Sequence, residues 1–342
     1  MKRGLVVFDH DEVTEKEWHA RTARVQAEIR SAGVDLALIY NDVSRGDDIG
    51  YLSNLVIYWN EGVLAIPAEG ELTLLTKLSM RVFPWMKRNS TLTDLRSGRA
   101  FGGLVADYAA GREAGRIGLI DIDLWPASIV DEISAAMPGW EIEPLGPIVR
   151  DQRSIPSPAE LALLREGAAV LRDALESATA TGLEPRERVA ALEKTARGGG
   201  FADILFRSAE DGAHVTVEAA GEYRHGWLLI GRTFGDEPWL DALSRAQRAA
   251  LDALTAASAW ADVEAAALAA LDGIPDDAVA SIRWISQADF ATGGELQPRP
   301  AQGPAAGEVA AIVLEVVDTA GIRTVLTDTV LVTGDGVDPL TF

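Results

Sequence analysis

The segment at residues 151–160 divides the chain into two parts with different patterns. Ser157, Pro158 and Glu160 have the spacing of a helix start, in which the serine and glutamate side chains satisfy free N–H groups. Before this segment strands and helices alternate, as is typical of an α/β layer domain. After it two helices, strands, two helices and strands follow, which is an α+β order. A chain of 342 residues is long enough for two domains. We predict them at residues 1–152 and 153–342.

Charge and composition exclude several classes of function. Lys and Arg number 31 against 52 Asp and Glu, a formal charge of −21, and no basic patch interrupts the excess. We therefore expect neither a nucleic-acid nor a membrane partner. The absence of cysteine excludes disulfides, thiolate zinc sites and a cysteine nucleophile. No apolar run reaches the ~20 residues of a membrane span, and the first residues lack the apolar core of a signal peptide, so we expect a cytoplasmic protein.

Three segments resemble the creatinase, prolidase and aminopeptidase P family, whose catalytic domain is known as the pita-bread fold. Residues 153–165 are similar to the opening of that catalytic domain, and residues 328–336 resemble its closing strand. Residues 48–54 resemble a motif of the family's N-terminal domain. The resemblance implies an α/β creatinase-like N-terminal domain, an α+β pita-bread C-terminal domain, and a homodimer.

The metal ligands of this family are mostly replaced. Its enzymes commonly hold two divalent metals with two Asp, one His and two Glu, because paired carboxylates can bridge two hard cations. Glu218 and Glu315 match the first Asp and the first Glu, whereas Leu229 and Thr327 stand at the second Asp and the second Glu. The stretch 284–294, where the histidine is expected, contains none. With at most two of five ligands present, we predict no metal and no cofactor.

His214 is the strongest candidate for catalysis. It follows Asp211, Gly212 and Ala213, a sequence similar to the strand end that carries the general acid/base histidine of the metal-free creatinases. A histidine titrates near neutrality and can pass a proton to a leaving nitrogen without a metal. The resemblance therefore implies a metal-independent hydrolase or lyase that acts on a C–N bond of a small amide, amidine or ureido substrate. Its predicted catalytic residues are His214, Glu218 and Glu315.

Further residues are candidates for binding that nitrogenous substrate. An aromatic ring with a polar tip, or a guanidinium, can position a small planar or carboxylate ligand. The predicted substrate-binding residues are Tyr223, Arg224, His225, Trp227 and Arg299. Arg323, which precedes the last long strand, is interpreted as a solvated residue. The two glutamates that hold the guanidinium of creatine fall on Gly231 and Thr327, so creatine itself is not the expected substrate.

Two alternatives stay open. Loss of metal ligands is also what a catalytically inactive homologue would have, one that binds a ligand or serves as the partner subunit of an active paralogue. If the ligand positions are misaligned, the chain is instead an Xaa-Pro-type metallopeptidase.

Overall fold

The computed structural model describes residues 9, 11–56, 60–179, 182–211, 214–224, 226–235, 239–274, 277–290 and 303–342. The chain forms two compact units, Met1–Gln152 and Arg153–Phe342. Across the described ranges, the helices are all too short or too polar to cross a bilayer.

The first unit is a mixed sheet with helices on both faces. Its strands lie in the order β4-β3-β2-β1-β5-β6; β2 is antiparallel to β1 and β3, and the other neighbours are parallel. The elements are α1 (Glu15–Ser31), β1 (Leu36–Asn41), α2 (Asp47–Ser53), β2 (Gly62–Pro67), β3 (Thr73–Thr76), α3 (Phe83–Arg88), β4 (Asp94–Ser97), α4 (Phe101–Ala109), β5 (Arg116–Ile120), α5 (Ala127–Ala136), β6 (Glu141–Leu145) and α6 (Ile148–Ser154). Two separate apolar clusters cover the two faces of this sheet.

The second unit is built on an antiparallel sheet of seven strands in the described part of the chain. Its order is β10-β11-β12-β9-β8-β7, and β13 pairs with β12. The elements are α7 (Pro158–Ala178), α8 (Pro185–Gly198), β7 (Asp203–Asp211), β8 (His214–Tyr223), β9 (Gly226–Phe234), α9 (Leu240–Ala253), α10 (Trp260–Ala269), β10 (Val279–Ser286), β11 (Val309–Val317), β12 (Arg323–Val332) and β13 (Val337–Pro339).

Helix α7 begins where the sequence predicts. The Ser157 hydroxyl accepts from the Glu160 amide at 3.2 Å, and the Glu160 carboxylate accepts from the Ser157 amide at 2.9 Å. Gly167 then lets α7 lie directly on the sheet, because a Cβ there would be only 2.7 Å from Cγ of Tyr223. This close contact fixes one face of strands β8 and β9 against α7.

The helices of the second unit pack against one face of its sheet. Helices α7 and α8 share an apolar cluster with β7, β8 and β9, and α9 and α10 share another with β10, β11 and β12. Side chains alternate along a strand, so every second residue points away from the helices. A small third cluster lies on that opposite face. The predicted pairing of an α/β domain with an α+β domain is confirmed.

Candidate functional site

A cavity of about 260 Å³ opens on the sheet face opposite the helices of the second unit. Its apolar lining includes Leu205, Ala220, Leu229, Ile285, Phe290 and Val313, and its polar lining is Arg207, Glu218, Arg283 and Thr327. Alternation along the strands explains this set: Glu218 and Ala220 of β8 face the cavity, whereas Tyr223, an odd number of residues away, belongs to the cluster beneath α7. The cavity is small, apolar on one side and charged on the other.

Arg323 connects the two predicted carboxylates. Its Nη1 donates to Oε2 of Glu218 at 2.8 Å, and its Nε donates to Oε1 of Glu315. Residues 218 and 315 are far apart in the chain, yet the first residue of β12 places one guanidinium against both of them. The prediction that Arg323 is a solvated residue is wrong, because its side chain is only 21% exposed and carries both ion pairs.

Two further arginines complete the charged group, which we call the arginine–glutamate cluster: Arg207, Glu218, Arg283, Glu315 and Arg323. Nη2 of Arg283 lies 3.3 Å from Oε2 of Glu315, and Nη1 of Arg207 lies 3.8 Å from Oε2 of Glu218. The cluster thus contains three guanidinium groups and two carboxylates.

The ion pairs shift the pKa values of Glu315 and Arg323. Burial raises the pKa of Glu315, but the hydrogen bond and charge of Arg323 and the charge of Arg283 outweigh burial, so the pKa lies below its ordinary value. Burial lowers the pKa of Arg323, and its hydrogen bonds to Glu315 and Glu218 raise it above its ordinary value. The Glu315 carboxylate is therefore ionised near neutral pH and is a weak base.

The residues of this site do not fit a two-metal centre. Glu218 and Thr327 both lie opposite Gly231 in the sheet, so the family positions do come together. However, Leu229 packs in an apolar cluster and both carboxylates hold Arg323. Among the residues that the structure describes, His, Cys, Asp and Glu nowhere form a group of three that could hold a metal ion. A guanidinium supplies the positive charge between the carboxylates that metal ions would otherwise supply.

The Thr327 hydroxyl is an unusual polar group in the cavity wall. Thr327 is 3% exposed, and its Oγ1 has no hydrogen-bond partner in the described part of the chain. A Cβ added at Gly231 would lie 3.0 Å from this oxygen, so the neighbouring glycine leaves the hydroxyl uncovered on that side. A buried hydroxyl without a partner costs free energy unless a ligand or water satisfies it.

We expect Thr327→Val to raise the free energy of unfolding by about 1 kcal/mol, because the isosteric methyl group removes a desolvated hydroxyl without a partner. Urea denaturation of both proteins measures this difference. The matched control is Thr329→Val, two residues along the same strand and equally buried. Its hydroxyl donates to the Leu229 carbonyl and accepts from the Leu229 amide, both at 2.8 Å, so this change should destabilise by about 1–2 kcal/mol. Equal losses of stability in the two variants would contradict the conclusion that the buried Thr327 hydroxyl has no hydrogen-bond partner.

His214 lies at the start of β8, outside the cavity lining. The residue is 5% exposed, and its Nε2 is 3.1 Å from the Arg323 carbonyl and 3.2 Å from the Thr216 hydroxyl. Thr216 donates to the same carbonyl at 2.7 Å. The histidine thus attaches β8 to the first residue of β12 and supports the backbone that carries Arg323.

The other predicted binding residues do not form one wall. Tyr223 packs against Phe201 on the helix face of the sheet, with ring centroids 5.2 Å apart and ring planes tilted by 60°. Arg224 is in the left-handed region (φ 57°), and its guanidinium lies 5.0 Å from the Tyr223 ring. Trp227 is on the cavity face and packs on Phe290 with centroids 4.6 Å apart. The prediction that Tyr223 and Arg224 line the cleft therefore differs from the structure, because strand alternation turns Tyr223 toward α7 and the Arg224 guanidinium lies over the Tyr223 ring. The remaining two, His225 and Arg299, lie outside the described residues.

The sequence analysis does not predict two members of the cluster, Arg207 and Arg283. Arg283 lies one residue before the stretch where the family histidine is sought, on a strand whose alternate residues face the cavity. That alternation, together with the predicted positions of Glu218 and Glu315, is the signal that could have identified it.

Comparisons with known proteins agree with this architecture. The sequence profile of the Creatinase/Prolidase N-terminal domain matches residues 21–155. The structure is similar to the prolidase from Pyrococcus horikoshii OT3 (TM-score 0.77, 17% identity, covering 94% of this chain and 98% of that one). It is also similar to the X-Pro aminopeptidase from Thermotoga maritima MSB8 (TM-score 0.79, 17% identity, covering 94% of this chain and 97% of that one). A third similar structure is the dipeptidase PepE from Mycobacterium ulcerans (TM-score 0.72, 20% identity, covering 95% of each chain). No curated protein sequence matches the chain. At these identities the structural likeness establishes a shared fold.

Proposed function

We propose that the C-terminal cavity of this chain, whose residues 21–155 match the Creatinase/Prolidase N-terminal domain, binds a small amide of the Xaa-Pro dipeptide type and does so without a two-metal centre. The observation that carries the proposal is the Arg323 guanidinium, which bridges Glu218 and Glu315 beside an apolar cavity. Ligand pockets combine an apolar lining with a few placed polar groups, and this cavity has that composition.

The class of ligand is supported by the size of the cavity and by the structural comparisons. A volume of about 260 Å³ is just below the roughly 300–1,000 Å³ of pockets for drug-sized ligands, so the occupant is smaller than such a ligand. Solved structures that share the fold include a prolidase, an Xaa-Pro dipeptidase and an X-Pro aminopeptidase. These similar proteins favour a peptide over creatine, and Gly231 and Thr327 provide no carboxylate for a guanidinium ligand.

Binding has more support than metal-free catalysis. Arg323 engages the Glu218 and Glu315 carboxylates and holds the pKa of Glu315 below its ordinary value, and the His214 ring contacts the Arg323 carbonyl rather than the cavity lining. The interactions that these groups offer are hydrogen bonds and charge, which bind and orient an amide. Hydrolysis of Xaa-Pro peptides is the second candidate, favoured by the peptidases among the solved structures that share the fold.

The test is isothermal titration calorimetry of the full chain with Ala-Pro, Ala-Ala and creatine, each in EDTA and again with added Mn²⁺. We expect Ala-Pro to bind in EDTA, with creatine giving no heat. Chromatography of the same mixtures measures release of proline. Proline release that requires Mn²⁺ would establish the metallopeptidase instead. Absence of binding to any of the three under both conditions would overturn the proposal.

A further inference from the structure

Three residues on neighbouring strands form a gap in the wall of the cavity. Glu218 on β8 and Thr327 on β12 both lie opposite Gly231 on β9, and both line the cavity. A Cβ added at Gly231 would lie 3.0 Å from Oγ1 of Thr327 and 3.3 Å from Cγ of Glu218. The glycine therefore separates a hydroxyl from a carboxylate without placing a side chain between them.

Backbone conformation does not explain this glycine. Gly231 is not among the residues with positive φ, so an alanine there would meet no backbone strain. A glycine in the interior of a strand weakens the sheet, and it often marks a place where a ligand or another backbone approaches closely. The three atoms nearest to the added Cβ all belong to side chains. Close approach of a ligand is therefore the reason that remains.

The Thr327 hydroxyl can donate to such a ligand. Thr327 is 3% exposed, and its Oγ1 has no hydrogen-bond partner within the described ranges. A buried hydroxyl of this kind lowers stability. Groups that lower stability yet line a cavity are typical of binding sites, where function requires what folding does not.

Glu218 can accept from the same ligand. Nη1 of Arg323 and Nη1 of Arg207 lie 2.8 Å and 3.8 Å from Oε2 of this carboxylate. In the part of the chain that the structure describes, its other oxygen, Oε1, accepts no hydrogen bond. A carboxylate oxygen accepts from N–H donors. The gap over Gly231 thus has a donor on one side and an acceptor on the other.

Resting on the proposed function, we infer that the group bound over Gly231 is a neutral primary carboxamide on an apolar ligand. Its carbonyl oxygen accepts from the Thr327 hydroxyl, and its NH2 group donates to Oε1 of Glu218. A carboxamide presents an acceptor and donors side by side, which matches this pair. A carboxylate would place a second negative charge beside Glu218. The apolar body of the ligand contacts Leu229 and Phe290 of the cavity lining.

Three probes that share one apolar body test this inference: N-acetyl-L-prolinamide, N-acetyl-L-proline methyl ester and N-acetyl-L-proline. Calorimetry of the full chain in EDTA should show about ten-fold tighter binding of the amide than of the ester, because the ester cannot donate to the Glu218 carboxylate. The acid should bind more weakly than the amide, because its charge lies beside that carboxylate. Equal affinity for amide and ester, or tightest binding of the acid, would overturn the inference.

Substitutions at the gap separate its two hydrogen bonds. Thr327→Val should weaken amide and ester alike by about five-fold and keep the preference for the amide, since Glu218 still accepts from the NH2 group. Thr327→Ser, which retains the hydroxyl, should restore most of the lost affinity. Gly231→Ala should weaken both probes at least ten-fold, because its methyl group fills the gap. Thermal unfolding verifies that each variant is folded. Unchanged or tighter binding by Thr327→Val would overturn the inference.

The same titrations distinguish this inference from the proposed function. Binding of Ala-Pro without any preference among the three probes would overturn the carboxamide site and leave the proposed function standing. Failure of Ala-Pro and of all three probes to bind would instead overturn the proposed function.

Discussion

Replacing Asp328 with alanine should lower the free energy of unfolding of this protein by about 3–5 kcal/mol, the range observed when one partner of a buried charged pair is removed. Asp328 is completely buried in β12. Its Oδ1 accepts from Nη2 of Arg232 at 2.8 Å and from the Thr341 hydroxyl at 3.0 Å, and its Oδ2 accepts from Nε2 of Gln247 at 2.7 Å. One carboxylate thus joins β12, β9, α9 and the chain end.

Urea denaturation of wild type, Asp328→Ala and Asp328→Asn measures this effect. The asparagine variant retains an acceptor for Arg232 and Thr341, and Gln247 can turn its amide oxygen toward the new donor, so we expect it to lose only about 1–2 kcal/mol. The control is Asp338→Ala, because that carboxylate belongs to an ion pair exposed on both sides and should contribute less than about 1 kcal/mol. A loss in Asp328→Ala as small as in Asp338→Ala would show that the buried network does not hold these elements together.

The fold follows from local signals that the sequence contains. The α7 start, for example, needs only Ser157, Pro158 and Glu160, which satisfy one another within a single turn. A similar spacing at Thr14 and Glu17 predicts the same motif, and there the structure differs: Thr14 is the N-cap without a side-chain bond, and Glu17 pairs with Arg21 instead. The nearby guanidinium is a stronger partner for the carboxylate than a backbone amide.

The candidate site is less accessible to sequence analysis because its contacts join distant residues. The family resemblance identifies Glu218 and Glu315, and the structure brings both to Arg323. Nothing in the local sequence of Arg323 distinguishes it from a solvated arginine, since its partners lie 105 and 8 residues away. Arg207 and Arg283 come from the two outermost strands of the main sheet order. A cluster of this kind depends on which strands become neighbours in the sheet, and local sequence patterns do not give that order.

Replacing Arg323 with methionine should lower the free energy of unfolding by about 2 kcal/mol at neutral pH. This value lies between those of exposed and fully buried ion pairs, because the three side chains are partly buried. The variant leaves Glu218 and Glu315 close together without the cation that both of them bind. Arg165→Met, which removes an arginine from an exposed pair, is the control and should lose less than about 1 kcal/mol.

The loss should depend on pH in a defined direction. The pKa of Glu315 lies below its ordinary value of 4.5, because Arg323 and Arg283 outweigh the effect of burial. A carboxyl whose folded pKa is depressed stabilises the protein above its unfolded pKa, and that contribution disappears as the pH falls through the folded pKa. The difference between wild type and Arg323→Met should therefore be complete at neutral pH and shrink below pH 4.5. A difference that is independent of pH would mean that methionine disturbs packing rather than charge.

Adding a divalent cation tests the same substitution in a second way, because the guanidinium and a metal ion compete for the same two carboxylates. In Arg323→Met the oxygens of Glu218 and Glu315 become available to a hard cation. Mn²⁺ at about five times its dissociation constant should then restore about 1 kcal/mol to the variant. Wild type, whose carboxylates are already engaged, should show no response, and neither should Arg165→Met. Equal stabilisation of wild type by Mn²⁺ would mean that metal displaces Arg323 readily, and the site would then belong with metal-dependent peptidases after all.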